Sequence, residues 1–286
     1  MWLKENIIAH MKIAFKIPPA SHDLPGLHLL AEAGKDEISF LLYSKDPLVL
    51  QGFYTYSFNK HISDNESAGL ITEIIHKEPV LQRPFLSSRI YYNQRECTIV
   101  PAEYFSEQEK HHFCNLMFGE DKTGLCFAET VKGTDMKAVY RIPATVHETL
   151  KVAFPAAVFS HSATCEAASD NHPGNVLECI VYHNTVKMLL FKEGQFQLLQ
   201  YAEYTVPADI CYYLLNVCSQ FDVSPVSVQL LLSGMVDLHS NLYKEIYRYF
   251  LNVVLLQLHA DVGVADKLNQ QPHHFYSHLS ALAQCV

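Results

Sequence analysis

Charge is scarce in this sequence: Asp, Glu, Lys and Arg make up only 18% of 286 residues, against about 25% in an ordinary soluble domain. What charge there is leans acidic, with 30 carboxylates, 21 Lys or Arg side chains and a formal net charge of −9. No Lys/Arg cluster interrupts that balance. A nucleic-acid binder needs a cationic track for the phosphates, so none is expected here. Long apolar runs are missing as well. The stretch from Phe250 to Leu258 is interrupted by Asn252 and Gln257 and falls short of the roughly 20 residues of a membrane helix, so no integral membrane segment is expected. The start, MWLKENIIAHMKIAFKI, is broken by Lys4, Glu5, His10, Lys12 and Lys16 and leads to no small-residue cleavage site, which argues against a signal peptide. An amphipathic helix on a partner or membrane surface is one reading of these residues; a packed or frayed terminal arm is the preferred one.

Cys-x-x-Cys pairs are also lacking among the eight cysteines, Cys97, Cys114, Cys126, Cys165, Cys179, Cys211, Cys218 and Cys285. An even count does not by itself establish disulfides in a chain of this length. Cys179, Cys211 and Cys218 lie in apolar segments, where free thiols behave as small hydrophobes. A reducing, cytoplasmic setting follows as the expectation. Aromatic rings, by contrast, are plentiful: 16 Tyr and 16 Phe stand against one Trp, in a chain that is 49% hydrophobic. That composition suits strands and a large core. The 16 His would make the net charge much less negative if many titrated near their ordinary value of about 6.5.

Along the chain, two stretches repeat one pattern. In the first, Leu27 to Ala33, Ile38 to Leu42 and Val49 to Phe58 read as three meander strands, with Gly34-Lys35-Asp36 as the tight turn. Ser63 with Glu66 forms a capping-box pattern before a helix whose apolar face is Leu70, Ile71, Ile74 and Ile75. Ser88 to Tyr92, Cys97 to Val100 and Lys137 to Ile142 follow as strands. Helices are expected to start at Ser106/Glu109 and Thr145/Glu148, and Gly119 to Asp135 reads as an insertion. The segment Asp170 to Gly174 punctuates the chain. Val176 to Tyr182, Val186 to Phe191 and Phe196 to Tyr204 then repeat the meander, with a turn at Asn184-Thr185. A helix from Pro207, a buried strand from Val228 to Leu232, a helix carrying Leu242, Ile246, Tyr249 and Phe250, and a strand from Val253 to Leu256 complete the unit. A helix from Phe275 to Ala283 closes the chain. The expected class is α/β with mixed sheets, organised as an arm (1–25), a first lobe (26–170) and a second lobe with the C-terminal helix (171–286).

The stretch VYHNTVKMLLFKEGQFQLLQYAEY, with YYLLNVCSQF, VQLLLSGMV and LYKEIYRYFLNV, resembles an uncharacterised family of Bacteroidetes proteins with an actin-like ATPase fold. GLHLLAEAGKDEISFLLY and TIVPAEYF extend the likeness into the first half, so that it covers most of the chain. More distantly the chain resembles the pseudo-ATPase scaffolds of pilus and secretion systems. The resemblance implies two ribonuclease-H-like lobes, with a nucleotide between them held by the first hairpin of each. It also implies an Asp-x-Gly pattern in those hairpins: carboxylates to hold a magnesium ion and small residues to let amides reach phosphate oxygens.

The residues depart from that pattern. The first hairpin, Ala31-Glu32-Ala33-Gly34-Lys35-Asp36, has one glycine and no Asp-x-Gly. Glu32 and Asp36 are candidates for a hydrated cation, but the plainer reading is a solvated, mixed-charge turn. The second, Val181-Tyr182-His183-Asn184-Thr185-Val186, lacks both Asp and Gly; His183 reads as a half-exposed polar group rather than a ligand. A paired glycine expected near the adenosine is represented only by Ser233-Gly234-Met235. No glycine-rich Walker loop is present.

Other clusters are weighed the same way. His273, His274 and His278, with Asp261, Asp266 or Cys285 as recruits, have part of a zinc spacing, but an exposed C-terminal helix is the plainer reading. His111-His112 with Cys114 reads as surface His and core-facing Cys. His161, Ser162, Cys165 and Asp170 include nucleophile-like types without a geometry. Cys211 and Cys218 share a helix face and are read as packing. Arg83, Arg89, Arg95, Arg141 and Arg248 form no anion clamp.

The expectation is therefore a non-catalytic pseudo-ATPase used as an interaction or scaffold protein. No catalytic, cofactor-binding or metal residue is assigned, no cofactor is expected, and a protein partner is placed at the interlobe cleft. The alternative is a divergent nucleotide-binding ATPase or kinase drawing on Glu32, Asp36 or Asp237. A two-metal nuclease lacks the clustered carboxylates that such a site needs.

Overall fold

The computed structural model describes residues 11–21, 24–59, 62–168 and 174–285. The chain forms two compact units, Met1–Thr164 with Asp261–Gln270, and Cys165–Ala260 with Gln271–Val286.

In the first unit, β1 (Met11–Ile17), β2 (His28–Gly34), β3 (Glu37–Ser44), β4 (Val49–Phe58), β5 (Ser88–Asn93) and β9 (Val158–His161) lie in the order β1-β4-β3-β2-β5-β9. Met11–Ile17, within the expected arm, is thus a strand, paired antiparallel to β4; residues 1–10, where the rest of the helix alternative falls, lie outside the described residues. β2, β3 and β4 form the expected meander, and β5 and β9 add in parallel. Alternation gives the sheet two unlike faces. Ala31, Ala33, Ile38, Phe40, Tyr54, Tyr56 and Ile90 are buried on one. On the other, Thr55, Ser39, Glu32, Tyr91 and Ser160 stand side by side across five strands as successive pairing partners. All but Ser160 of that polar row are buried, and Ser39 Oγ lies 3.0 Å from Thr55 Oγ1.

Helix α1 (Asp64–Lys77) begins where the sequence places it: Ser63 Oγ accepts from Glu66 N, and Glu66 Oε2 accepts from Ser63 N at 2.8 Å. Leu70, Ile71, Ile74 and Ile75 are its buried stripe. At its C-terminal end Glu78 takes hydrogen bonds from Lys16 Nζ and Tyr56 Oη, each 2.7 Å long.

A second sheet, β6 (Cys97–Pro101), β8 (Met136–Pro143) and β7 (Gly124–Thr130) in the order β6-β8-β7, belongs to the same unit. Strand β7 lies inside the segment expected as an insertion. Helix α2 (Lys110–Phe118) closes a small core of Cys114, Cys126 and Val139. Two expected helix caps are absent. Ser106 makes no side-chain cap and precedes a 3₁₀ turn. Helix α3 (Ala144–Ala153) starts behind Pro143, which leaves Thr145 inside the first turn rather than at its cap.

After the short helix α4 (Ala163–Glu166), the second unit builds a sheet from β10 (Val176–Val181), β11 (Thr185–Lys192), β12 (Gln195–Glu203), β13 (Gln229–Gly234) and β14 (Asn252–Leu255), in the order β12-β11-β10-β13-β14. Again a three-strand meander is followed by two parallel strands. Asp170 to Pro173 of the punctuating segment lie outside the described residues. Helix α5 (Pro207–Gln220) is capped by Asp209, whose Oδ2 accepts from Thr205 N and Val206 N at 2.8 and 3.0 Å. It packs Ile210, Cys211, Leu214, Val217 and Cys218 onto the sheet core. Helix α6 (Asn241–Ile246) is shorter than its apolar stripe suggests: it buries Leu242 and Ile246, and Tyr249 is exposed beyond its end.

The chain then returns to the first unit. There β15 (Gly263–Val264) adds in parallel to the first residues of β4, and α7 (Asp266–Asn269) buries Leu268. The closing helix, α8 (Ser277–Gln284), belongs to the second unit and buries Ser277, His278, Leu279, Ser280, Leu282 and Ala283. The exposed C-terminal helix expected from sequence is therefore corrected: small hydroxyls and a His let it lie against protein on most of its surface.

Candidate functional site

The large mixed sheet of each unit carries the first hairpin that the resemblance marks as the place for a phosphate. In the first unit, β2 and β3 turn at Gly34-Lys35-Asp36, and Asp36 O accepts from Phe58 N at 2.7 Å. Only Lys35 of this turn is exposed; Glu32 and Asp36 retain 3% and 7% of their surface. The expectation of a solvated turn fails here, because the polar row of the sheet runs through Glu32. A Cβ on Gly34 would meet its nearest atoms, Glu37 O and Asn93 O, at 3.4 and 3.5 Å. Those are ordinary contacts, so this glycine is not forced by close approach.

Beyond the C-terminal ends of β2 and β5 lies a cavity of about 180 Å³, walled by Lys35, Asp64, Gln94, Arg95, Glu96 and Arg141 among others. It is smaller than the about 300–1,000 Å³ of a pocket for a drug-sized ligand. The Arg141 guanidinium is already committed. Arg141, 3% exposed, donates from Nε to Glu96 Oε2 at 2.6 Å and from Nη1 to Asn115 Oδ1 and Gly119 O at 3.2 and 2.8 Å. Glu96 raises its pKa further. Arg141 thus caps the C-terminal end of α2; in the sequence it was one of five scattered arginines, and only the fold reveals it as a hub.

The second unit's hairpin is closed by tyrosine. Tyr182 N donates to Thr185 O at 2.8 Å, and Tyr204 N to Asn184 O at 3.1 Å. Tyr204 Oη lies within donating distance of both Tyr182 O, at 2.7 Å, and His183 O, at 3.1 Å. The buried Tyr182 ring meets His278 edge-on at 5.8 Å, and Lys187 Nζ sits 5.6 Å from its centroid. Gly234, the partial third signature, has φ +80°, and a Cβ there would fall 2.2 Å from Val181 O. Close approach to β10 therefore requires this glycine. The amide that follows, Met235 N, donates to Val181 O at 2.7 Å, and Val236 N donates to Gly234 O at 2.8 Å. His274 Nε2 then donates to Val236 O at 2.7 Å, and burial lowers the pKa of this ring.

The remaining candidates disperse. His274 and His278 are buried, and among the described residues no group of three or more His, Cys, Asp or Glu stands close enough to hold a metal ion. His111 and His112 are exposed and Cys114 is buried, as their spacing implied. His161 is buried: its Nδ1 accepts from Ala163 N, so Nε2 carries the proton and donates to Gln94 O, each at 3.1 Å. Asp170 lies outside the described residues. Cys165, unexpectedly, is bonded to Cys285, with Cα atoms 6.1 Å apart. Asp237 is exposed and caps His239 N at 2.6 Å. Arg248 is exposed and pairs with Glu245.

A titratable cluster that sequence reasoning missed lies where β7 and β8 meet β9. The Glu129 carboxylate accepts from Tyr140 Oη and Ser160 Oγ. Burial raises its pKa, an effect partly offset by those two hydroxyls. Nearby, Tyr92 Oη lies 2.5 Å from His147 Nδ1, and burial lowers the pKa of His147. The rings of Phe127, Tyr140 and Phe159 pack around this group.

The fold is mixed α/β and matches the actin-like ATPase architecture. The chain belongs to the DUF3822 family, a protein family of unknown function, which it matches over residues 22–253. Among solved structures it is similar to a Bacteroides thetaiotaomicron protein with actin-like ATPase fold and unknown function. The two are 18% identical, with a TM-score of 0.72 over 91% of this chain and 96% of that one. A chain of the PilM–PilN type IV pilus biogenesis complex aligns at TM-score 0.64 and 10% identity, over 92% of this chain and 99% of that one. The cytoplasmic domain of EpsL, an inner membrane component of the type II secretion system of Vibrio cholerae, aligns at TM-score 0.44 and 10% identity, over 91% and 94%. No curated protein matches the sequence. Among the described residues, no helix is long and apolar enough to cross a membrane.

Proposed function

We propose that this chain is a non-catalytic pseudo-ATPase, built from two duplicated ribonuclease-H-like lobes, that acts in the cytoplasm as an interaction or scaffold protein. The single observation that carries the reading is the closed hairpin of the second unit. Phosphate oxygens need free amides and a metal held by carboxylates. Here Tyr182 N, Met235 N and Val236 N are spent on backbone carbonyls, and Tyr204 Oη covers the two carbonyls at the tip. The shared strand order of the two sheets supports the duplication. A partner is supported by the run of exposed apolar side chains Tyr247, Tyr249, Leu251 and Val254, which ends on the edge strand β14. A protein of the same fold takes part in the PilM–PilN complex.

The rival reading, a divergent ATPase or kinase, draws on the burial of Glu32 and Asp36. Calorimetric titration of the full chain with Mg-ATP and Mg-ADP separates the two. No heat up to millimolar nucleotide is the expected result, and micromolar binding would overturn the proposal.

A further inference from the structure

Cys165 and Cys285 are 120 residues apart in sequence and joined by a disulfide within the second unit. Both line a cavity of about 570 Å³ whose other walls include Glu166, Glu178, Ile180, Leu256 and His278. The bond ties Cys285, the residue that follows α8, to the residue that precedes Glu166. Glu166 in turn holds Lys187, whose side chain is fully buried, through a 2.6 Å ion pair.

The other six cysteines are buried and form no disulfide. Burial pushes the pKa of Cys114 and Cys179 up to about 12, and that of Cys211 and Cys218 up to about 11. Thiol exchange needs a thiolate and access, and neither is offered by these four. The bonded pair, in contrast, is only partly buried and lines the cavity. Helix α8 is anchored at its middle by Leu279 and Leu282, but Gln284, in its last turn, is exposed. At eight residues it is shorter than the ~12–15 that persist without tertiary support.

We propose that Cys165 and Cys285 form a reversible redox latch on the C-terminal helix. Oxidised, the latch holds the last turn of α8 against Cys165 and narrows the mouth of the cavity. Reduced, it frees that turn and admits solvent to the Lys187–Glu166 pair. The reductant is a dithiol. Its thiolate attacks one sulfur of the bond and expels the other as a thiolate, and its second thiol then resolves the mixed disulfide. Two electrons and two protons pass to the protein, leaving two cysteine thiols and an oxidised reductant. The latch also reconciles a disulfide with a reducing compartment, because a bond that a dithiol can reach is open to exchange. It does not depend on the nucleotide reading above.

The test uses the full chain, purified without reductant, with and without dithiothreitol. Alkylation and mass spectrometry of the oxidised protein under denaturing conditions should find Cys165 and Cys285 protected and the other six cysteines modified. After native reduction, amide exchange in residues 281–285 should rise by about tenfold or more, and Lys187 should become more reactive to an amine-acylating reagent. Re-oxidation should reverse both changes. Cys285→Ser should match reduced wild type with or without reductant, and Cys165→Ser provides the same test should that variant fold poorly. Cys165 and Cys285 that stay free after treatment with oxidised glutathione would overturn the proposal. So would a bond that resists the dithiol under native conditions, or exchange that is the same in both redox states.

Discussion

The hairpins of the two units start from the same strand order and end in opposite ways. In the first unit the turn keeps Gly34 between buried carboxylates, and its backbone is loosely surrounded. In the second, tyrosines close the turn and a neighbouring glycine is pressed against the β10 carbonyl. A common topology therefore does not fix what stands at its loops; the side chains do.

The contrast is broken most forcefully at its glycines. Gly234→Val places a branched side chain at φ +80° and onto Val181 O, and should cost about 4 kcal/mol or more. Gly34→Ala should cost no more than about 1 kcal/mol. Urea denaturation of both variants measures the difference, and equal losses would refute the contrast. Ion pairs come next. Lys187→Met strands Glu166 beside a site where the lysine side chain is 0% exposed, and a loss of about 3 kcal/mol is expected. Lys16→Met removes a partner that is 45% exposed and should cost about 1 kcal/mol or less. Smaller still are the helix caps: Ser63→Ala should lower stability by about 1 kcal/mol, while Ser106→Ala, with no cap bond to lose, should change nothing measurable.

The effects of pH run in opposite directions. Glu129 has its pKa raised above the ordinary 4.5. Its protonated form stabilises the fold fully below that value, and the contribution is lost as pH rises through the raised pKa. His274 has its pKa lowered below the ordinary 6.5. Its contribution is present above that value and is lost as pH falls through the lowered one. Stability measured from pH 4 to 8 should therefore show a decline on the alkaline side that Glu129→Gln removes and a decline on the acid side that His274→Gln removes. His28 and His147 share the sign of His274, so each effect is read as wild type minus variant.

Much of the fold was legible because its signals are local. β4 falls on Val49–Phe58 as read, and Ser63 with Glu66 caps α1 as read. Ser106 and Thr145 carry the same pattern without the cap, because a preceding 3₁₀ turn and a helix start set by Pro143 shift the register. β9 has four residues, too few for alternation to show. The site was less legible, for a different reason. Glu32, Ser39 and Thr55 alternate with apolar residues as a solvent face would, and only pairing across strands reveals them as a buried row. Arg141 and the Cys165–Cys285 bond depend on contacts far apart in sequence, which no spacing announces.

The late return of the chain to β4 has a consequence for how the molecule is made. A ribosome finishes every strand of the second unit's sheet by Leu255, yet Gly263 and Val264, the final strand of the large sheet in the first unit, emerge only afterwards. Vectorial synthesis thus supplies the younger sheet in full while the older one still has an open place beside Val49 and Leu50.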